Sequence, residues 1–419
     1  MGESKPARSS AESSKVSKLG YGRLFPFNIR DVNDVITELR EVRERWPDTK
    51  VFYCQDDVHG FDTKDWLPEF ARRYVDEVGI PYHAQMRWEM TKDEKRLDLL
   101  REAGCFGLTL AIEAADFTIR KEVLDRAMPE ETMFRGMKAV KERGFKIRTE
   151  QITGLPYGAT TVPTRINLDA DLGLIELNVN LRKEAGGPDM AWASTLAPYK
   201  GTKLGIYCEE NGFYVGNNSD VPDTFFDKSV LRFLREWVGP SLKERKNDNF
   251  LWLSGLELER YREQNAELRR IFNFVTLVPE GHILARNYIT NDEPFSYERL
   301  GRDTETHLRS LSSTNKEALE MLARIESMRR FIPSLATLDG LGDSLQELAP
   351  YFACLPYGEL AAQRALEYGM KEGELTPYIL STATRHHLYD NVLYAISKPK
   401  TTNGRHQEIA TSRQSTLKV

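Results

Sequence analysis

What most constrains this chain is a grammar repeated from residue 29 to residue 181. A short apolar run, the length of a strand, alternates with a segment whose apolar residues recur at helical spacing. Val32, Val35, Ile36, Leu39 and Val42 lie three or four residues apart, Asp31 can cap them and Pro47 stops them. Val51–Asp57 is then a short strand closing on acids. Trp66–Val78 reads as a helix, Tyr82–Trp88 as a strand, Asp93–Ala103 as a helix and Phe106–Glu113 as a strand. Glu130–Arg143 is helical, Phe145–Thr153 a strand, Thr164–Leu172 helical and Ile175–Leu181 a fifth strand. Gly104 and Gly144 each stand where a helix C-terminus wants positive φ, and each is followed at once by a strand. Strands joined by single helices pair in parallel through crossover connections, so the segment predicts an α/β sheet or barrel.

The remainder has a different character. Residues 203–395 carry long amphipathic helices such as Leu256–Phe274 and Asn315–Phe331, with no second series of strands. This half should be mostly helical and pack against the barrel. Residues 1–18 and 397–419 are basic and poor in apolar side chains, and are expected to be disordered tails. The domain plan is therefore tail 1–18, barrel 19–215, helical region 216–396 and tail 397–419.

Charge narrows the function classes. The whole chain is at −5, while the two tails carry surpluses of +2 and +4, which leaves the body near −11. An acidic body argues against a nucleic-acid surface. No apolar run reaches the roughly 20 residues of a membrane helix, and the N-terminus lacks the apolar core of a secretory signal. Cys54, Cys105, Cys208 and Cys354 are far apart in sequence. That spacing gives neither a CxxC metal site nor a disulfide scaffold, so the expected setting is a reducing cytoplasm. Metal ligands are not assigned.

In parallel α/β folds ligands bind at the carboxyl ends of the strands. The residues expected there are Gln55, Asp56 and Asp57 after the first strand, Arg87 after the second and Glu113 after the third. Glu150, Gln151 and Thr153, with the turn Gly154-Leu155-Pro156, belong to the fourth; Arg182, Lys183 and Glu184 close the fifth. Carboxylates and guanidinium groups on one rim suit a zwitterionic small molecule, since acids accept from an ammonium and Arg binds a carboxylate bidentately. Asp57, Arg87, Glu113, Glu150 and Gly154 should line one cavity.

The segments FYCQDDVHG, WLPEFARRYVDEVGIPYHAQMR, LLREAGCFGLTLAIEAAD, VKERGFKIRTEQITGLPYG and LAPYKGTKLGIYCEENGF occur in that order. Together they resemble the core of a radical S-adenosylmethionine (SAM) protein, of the group often fused to a cobalamin-binding domain. The resemblance covers roughly residues 29–215 and implies a partial (β/α)6 TIM-like barrel. It also implies bound SAM, a 4Fe–4S cluster, and reductive cleavage of SAM to a 5′-deoxyadenosyl radical that attacks a small-molecule substrate not named by the residues. By the same resemblance Gln55, Asp56 and Asp57 face the amino end of SAM and Glu113 its ribose. Gly154, Leu155 and Pro156 lie near the adenine, and Pro198-Tyr199-Lys200-Gly201-Thr202 is the last element, with Lys200 in place of the usual Pro.

Two family features are missing from these residues. The CxxxCxxC motif should precede residue 29, where the chain instead reads SKVSKLGYGRLFPFN, without a cysteine before Cys54. The cobalamin signature DxHxxG begins at Asp57-Val58-His59, but Asp62 stands at its Gly position and no cobalamin domain is expected. On its own residues, then, the chain is not expected to cleave SAM. It would be an incomplete radical SAM enzyme, or a degenerate barrel that binds SAM or acts as a scaffold beside a cluster-bearing partner chain. A third reading makes Asp56, Asp57 and Glu113 the acid/base groups of an ordinary barrel hydrolase or lyase.

Overall fold

The structure, a computed structural model, describes residues 29–56, 58–156, 168–216, 228–233, 252–291, 293–323 and 325. Five strands form one sheet in the order of the chain: β1 (Phe52–Tyr53), β2 (Tyr82–Met86), β3 (Cys105–Glu113), β4 (Lys146–Thr153) and β5 (Met190–Thr195). Every neighbouring pair is parallel. Helices α1 (Val32–Arg45), α2 (Trp66–Glu77), α3 (Glu94–Glu102), α4 (Glu130–Glu142) and α5 (Leu168–Ala185) precede the successive strands. A parallel sheet that adds strands in sequence order, always through helices on one face, curls in one sense, and the result is a half-barrel.

Local signals set the helices. The Asp31 carboxylate accepts from Asn33 N–H at 2.7 Å and starts α1; Asp93 accepts from Arg96 N–H at 3.2 Å and starts α3. Gly104 (φ +85°) and Gly144 (φ +75°) turn the ends of α3 and α4 into β3 and β4. The outer face of the sheet, including Ala84, Leu108, Leu110, Ile112 and Ala191, is buried beneath this helical layer.

The fifth unit differs from the sequence expectation. Ile175–Leu181 is not a strand but the middle of α5, and the strand is Met190–Thr195. The run IELNVNL alternates apolar and polar residues as a half-buried strand does, yet Leu174, Ile175, Leu177, Asn178, Val179 and Leu181 are all buried. The helix is enclosed on several sides, so its apolar residues show no helical stripe. Its buried polar group is satisfied internally: Asn178 accepts from Thr149 Oγ1 at 2.6 Å and donates to Gln151 Oε1 at 3.0 Å. Thr149 and Gln151 consequently face the helices rather than a ligand. Arg182, Lys183 and Glu184 fall in the last turn of α5, ahead of β5, at the pole opposite the strand ends where they were expected.

The turn Pro198–Thr202 follows β5 and leads into α6 (Lys203–Glu210), whose first turn is capped by Thr202 accepting from Gly205 N–H at 3.0 Å. Beyond it come α7 (Gly255–Leu277), α8 (Gly281–Thr290) and α9 (Tyr297–Leu311). Helix α7 lies directly on β5, and Asn273 Oδ1 accepts from Ala191 N–H at 2.9 Å, satisfying a backbone donor of that strand. The expected tails, the helix Thr164–Leu172 ahead of Leu168 and the helix Asn315–Phe331 beyond residue 325 lie outside the described residues.

One buried polar joint ties β4, α5 and α7 together. Gly154 N–H donates to both oxygens of Asp171 at 3.1 and 3.0 Å, and Asn265 Nδ2 donates to the same carboxylate at 2.6 Å. Gly154 has φ +69°, and a Cβ there would sit 3.2 Å from Asn265 Oδ1. Gly154→Ala should therefore cost roughly 1–3 kcal/mol in urea unfolding, through left-handed strain and crowding of the joint. Burial pushes the Asp171 carboxyl from 3.8 up to about 8, against the two donors, which favour the charged form. The folded state then holds a proton that the unfolded state has released. Unfolding free energy should fall, relative to Asp171→Asn, as pH rises from 3.8 toward about 8, and level off above.

Candidate functional site

The inner face of the half-barrel is polar and aromatic. Because side chains alternate along a strand, Tyr53 and Gln55, His83 and Gln85, Arg148 and Glu150, and Trp192 project to the same side and line a cavity of about 1260 Å³. Val278, Pro279, Glu280, Asn315 and Glu317 from the helical half also line it, as do Arg182 and Lys183. Arg182 pairs with Glu317, and Lys183 Nζ lies 2.8 Å from Glu280. Residues of the helical half thus border the cavity.

The floor of the cavity is a connected network. His83 Nε2 and Tyr53 Oη lie 2.7 and 3.2 Å from Thr109 Oγ1, and the His83 and Tyr53 rings stack with centroids 4.8 Å apart. Burial, helped by the nearby Arg148 cation, pushes His83 down to about 3, so its imidazole is neutral. Gly107 makes room for that ring, since a Cβ would come within 2.6 Å of His83 Nδ1. Arg148 donates to Tyr53 Oη at 3.4 Å, lies over the Trp192 ring at 5.0 Å and pairs with Glu150 at 2.6 Å. Its Nε is buried and has no hydrogen-bond partner. A guanidinium stacked on an aromatic face with an unused donor suits an anionic or carboxylate group.

The residues picked out from the sequence do not all meet there. Gln55 and Glu150 line the cavity. Glu113 ends β3 with φ +67° at an irregularity in the β3–β4 register. Its half-buried carboxylate pairs with Arg126 at 3.2 Å; burial raises its affinity for a proton, Arg126 opposes this and the Glu150 charge adds to it. Arg87 is exposed beyond β2, 3.4 Å from Glu89. Asp56 is exposed, close to Cys54 and His59, and Asp57 lies outside the described residues. Gly154, Leu155 and Pro156 are buried, and Gly154 meets Asp171 and Asn265, not the cavity. Of the five residues expected to share one cavity, Glu150 lines it, Arg87, Glu113 and Gly154 do not, and Asp57 lies outside the described residues. Sequence reasoning passed over Tyr53, His83, Gln85, Arg148 and Trp192. The first four were marked by the two-residue period of their strands, whereas Trp192 sits in the strand that was misplaced.

The described cysteines do not fit a 4Fe–4S cluster. Cys105 is buried at the start of β3 and its thiol faces Gly107 O at 3.2 Å; Cys208 is buried in α6; Cys54 follows β1. Burial pushes the thiols up to about 11 for Cys54 and about 12 for Cys105 and Cys208. No three thiols converge among the described residues. The lumen does fit an amino-acid-like ligand such as SAM: Glu150 can accept from an ammonium, Arg148 can meet a carboxylate, and Gln55 and Gln85 offer amides. No described helix is long and apolar enough to cross a membrane.

No family model matches the chain. Over 218 residues, 51% of its length, it is 27% identical to the cytidylyl-2-hydroxyethylphosphonate methyltransferase of Streptomyces wedmorensis, of which it spans 38%. Among solved structures it is similar to the radical SAM methyltransferase TsrM from Kitasatospora setae, with cobalamin and a 4Fe–4S cluster bound. That similarity has TM-score 0.33 and 18% identity over 43% of this chain and 32% of that one. It is also similar to coproporphyrinogen III oxidase from Escherichia coli, a radical SAM enzyme, with TM-score 0.32 and 15% identity over 46% and 42% of the two chains. Gln55-Asp56, Arg87, Glu113, Gly154-Leu155-Pro156 and Pro198–Thr202 fall at or just past the carboxyl ends of β1 to β5 in turn.

Proposed function

We propose that the lumen of the half-barrel binds SAM and that the chain serves radical SAM chemistry on a small-molecule substrate, with a partner chain holding the cluster. The observation that carries this is the inner face itself: Arg148, Glu150, Gln55 and Gln85 turned into one cavity, with the buried Arg148 Nε unpartnered. A barrel kept only as a scaffold would not need charged side chains in its lumen, where each costs desolvation. In this reading the chain's residues bind and orient. Glu150 takes the ammonium, Arg148 the carboxylate, and neutral His83 holds Tyr53 and Thr109 in place beneath them. The described thiols, Cys54, Cys105 and Cys208, lack the geometry of a cluster site, so no electron-transfer step is assigned to them.

A second reading concerns the outcome of the chemistry. The 27% identity to a methyltransferase that acts on a cytidylyl-linked phosphonate favours methyl transfer over other radical reactions. The Arg148 guanidinium could equally receive an anionic group of such a substrate.

Calorimetry on the full chain should show one SAM site. Glu150→Gln and Arg148→Ala should each weaken it at least about tenfold, or about 1.4 kcal/mol. Glu131→Gln, at an exposed position on α4, should leave it unchanged. Absence of binding, or indifference to both lumen variants, would overturn the reading. Incubated alone with iron, sulfide, reductant and SAM, the chain should yield no 5′-deoxyadenosine; turnover would disprove the need for a partner.

A further inference from the structure

We infer that Cys54, Asp56 and His59 form a binding site for a zinc-like divalent transition-metal ion, with one sulfur, one oxygen and one nitrogen ligand and a fourth position open to solvent. The site is independent of SAM binding. The three donor atoms already converge. Cys54 Sγ is 3.6 Å from His59 Nδ1 and 3.5 Å from Asp56 Oδ2, and His59 Nδ1 is 3.8 Å from Asp56 Oδ2. Tetrahedral zinc, with Zn–S about 2.3 Å and Zn–N and Zn–O about 2.0–2.2 Å, separates its ligand atoms by roughly 3.4–3.6 Å. The observed triangle matches that face to within a few tenths of an ångström.

The loop carrying these residues is held at both ends by the neighbouring strand. Cys54 N–H donates to His83 O at 2.8 Å and His59 N–H donates to Gln85 O at 2.9 Å. The His59 ring is buried, with Trp66, Phe70 and Tyr82 packed edge-to-face around it at centroid distances of 5.9, 5.5 and 5.4 Å. Its Nε2 has no hydrogen-bond partner in this aromatic cage. Placing the imidazole proton on Nε2, inside this cage, leaves the Nδ1 lone pair aimed at Cys54 and Asp56.

That arrangement is rich in acceptors and short of donors. With the His59 proton on Nε2, the Cys54 thiol is the one donor the triad itself supplies, and it serves either Asp56 or His59. A cation satisfies all three. Mixed sulfur and nitrogen donors select zinc or cobalt over magnesium or calcium, which prefer oxygen. Asp56 is 72% exposed, so the fourth position faces water, at the pole where the strands end and beside Gln55 of the lumen. Three protein ligands with one open place are the arrangement that zinc adopts where it activates water or a substrate atom, in contrast to closed structural sites.

The test is titration of the metal-free full chain with Co²⁺, then displacement by Zn²⁺. One equivalent of Co²⁺ should give tetrahedral d–d bands and a thiolate-to-cobalt charge-transfer band, both removed by Zn²⁺. The charge-transfer band should vanish in Cys54→Ser. The affinity should fall at least about tenfold in Asp56→Asn, whose exposure spares the fold, and stay unchanged in Glu89→Gln, a neighbouring exposed carboxylate. X-ray absorption of the zinc form, which needs no variant, should show one sulfur and two or three nitrogen or oxygen neighbours. Absence of stoichiometric binding, persistence of the thiolate band in Cys54→Ser, a first shell without sulfur, or equal competition by Mg²⁺ would each overturn the assignment.

Discussion

Parallel pairing of consecutive strands is the constraint on which the rest of the structure depends. Each strand enters the sheet after a helix, so all five run the same way and all five carboxyl ends meet at one pole. The same connections keep helices α1 to α5 on the outer face. The alternation of side chains then sends Leu108, Leu110 and Ile147 outward to the core and Tyr53, His83, Arg148 and Glu150 inward. One backbone rule thus separates the groups that hold the fold from those available to a ligand.

The inner face is polar but not loosely solvated. Tyr53, His83 and Thr109 are joined by hydrogen bonds and ring stacking, Gly107 supplies the space for the imidazole, and Arg148 rests on Trp192. A neutral histidine beside a guanidinium is a consequence of that crowding, because a second cation there would be both desolvated and repelled. The outer face has its own polar members, Thr149 and Gln151, and these are consumed by Asn178 of α5, while Asp171 of α5 is held by Gly154 and by Asn265 of α7. Polar residues on the two faces of β4 therefore do opposite work: Arg148 and Glu150 line a cavity, and Thr149 and Gln151 anchor a helix.

Much of the fold was legible in the residues. Asp31 and Asp93 as caps, Gly104 and Gly144 as helix ends, and the apolar runs around Tyr82, Leu108 and Ile147 each carry a local physical signal, and the structure places them accordingly. The last unit was misread for an equally physical reason. In Ile175–Leu181 burial on several sides removed the helical stripe and left a chance alternation, while Met190–Thr195 is alanine-rich and has little of the β-branched character that marks a strand. Gly154 was read correctly as a turn, but a turn does not say which face it meets. Its neighbour proved to be Asn265, more than a hundred positions along the chain.

By itself, then, the sequence determined the order of helices and strands through β4, their parallel pairing and the set of polar residues near the strand ends, because periodicity, capping and glycine conformation act over a few residues. Only the tertiary structure decided which of those polar residues share a space. Whether Glu150 faces a cavity and Gln151 a helix, and whether Cys54, Asp56 and His59 converge, depends on sheet curvature, strand register and the seating of α7 on β5. Those are products of long-range packing, and no local pattern encodes them.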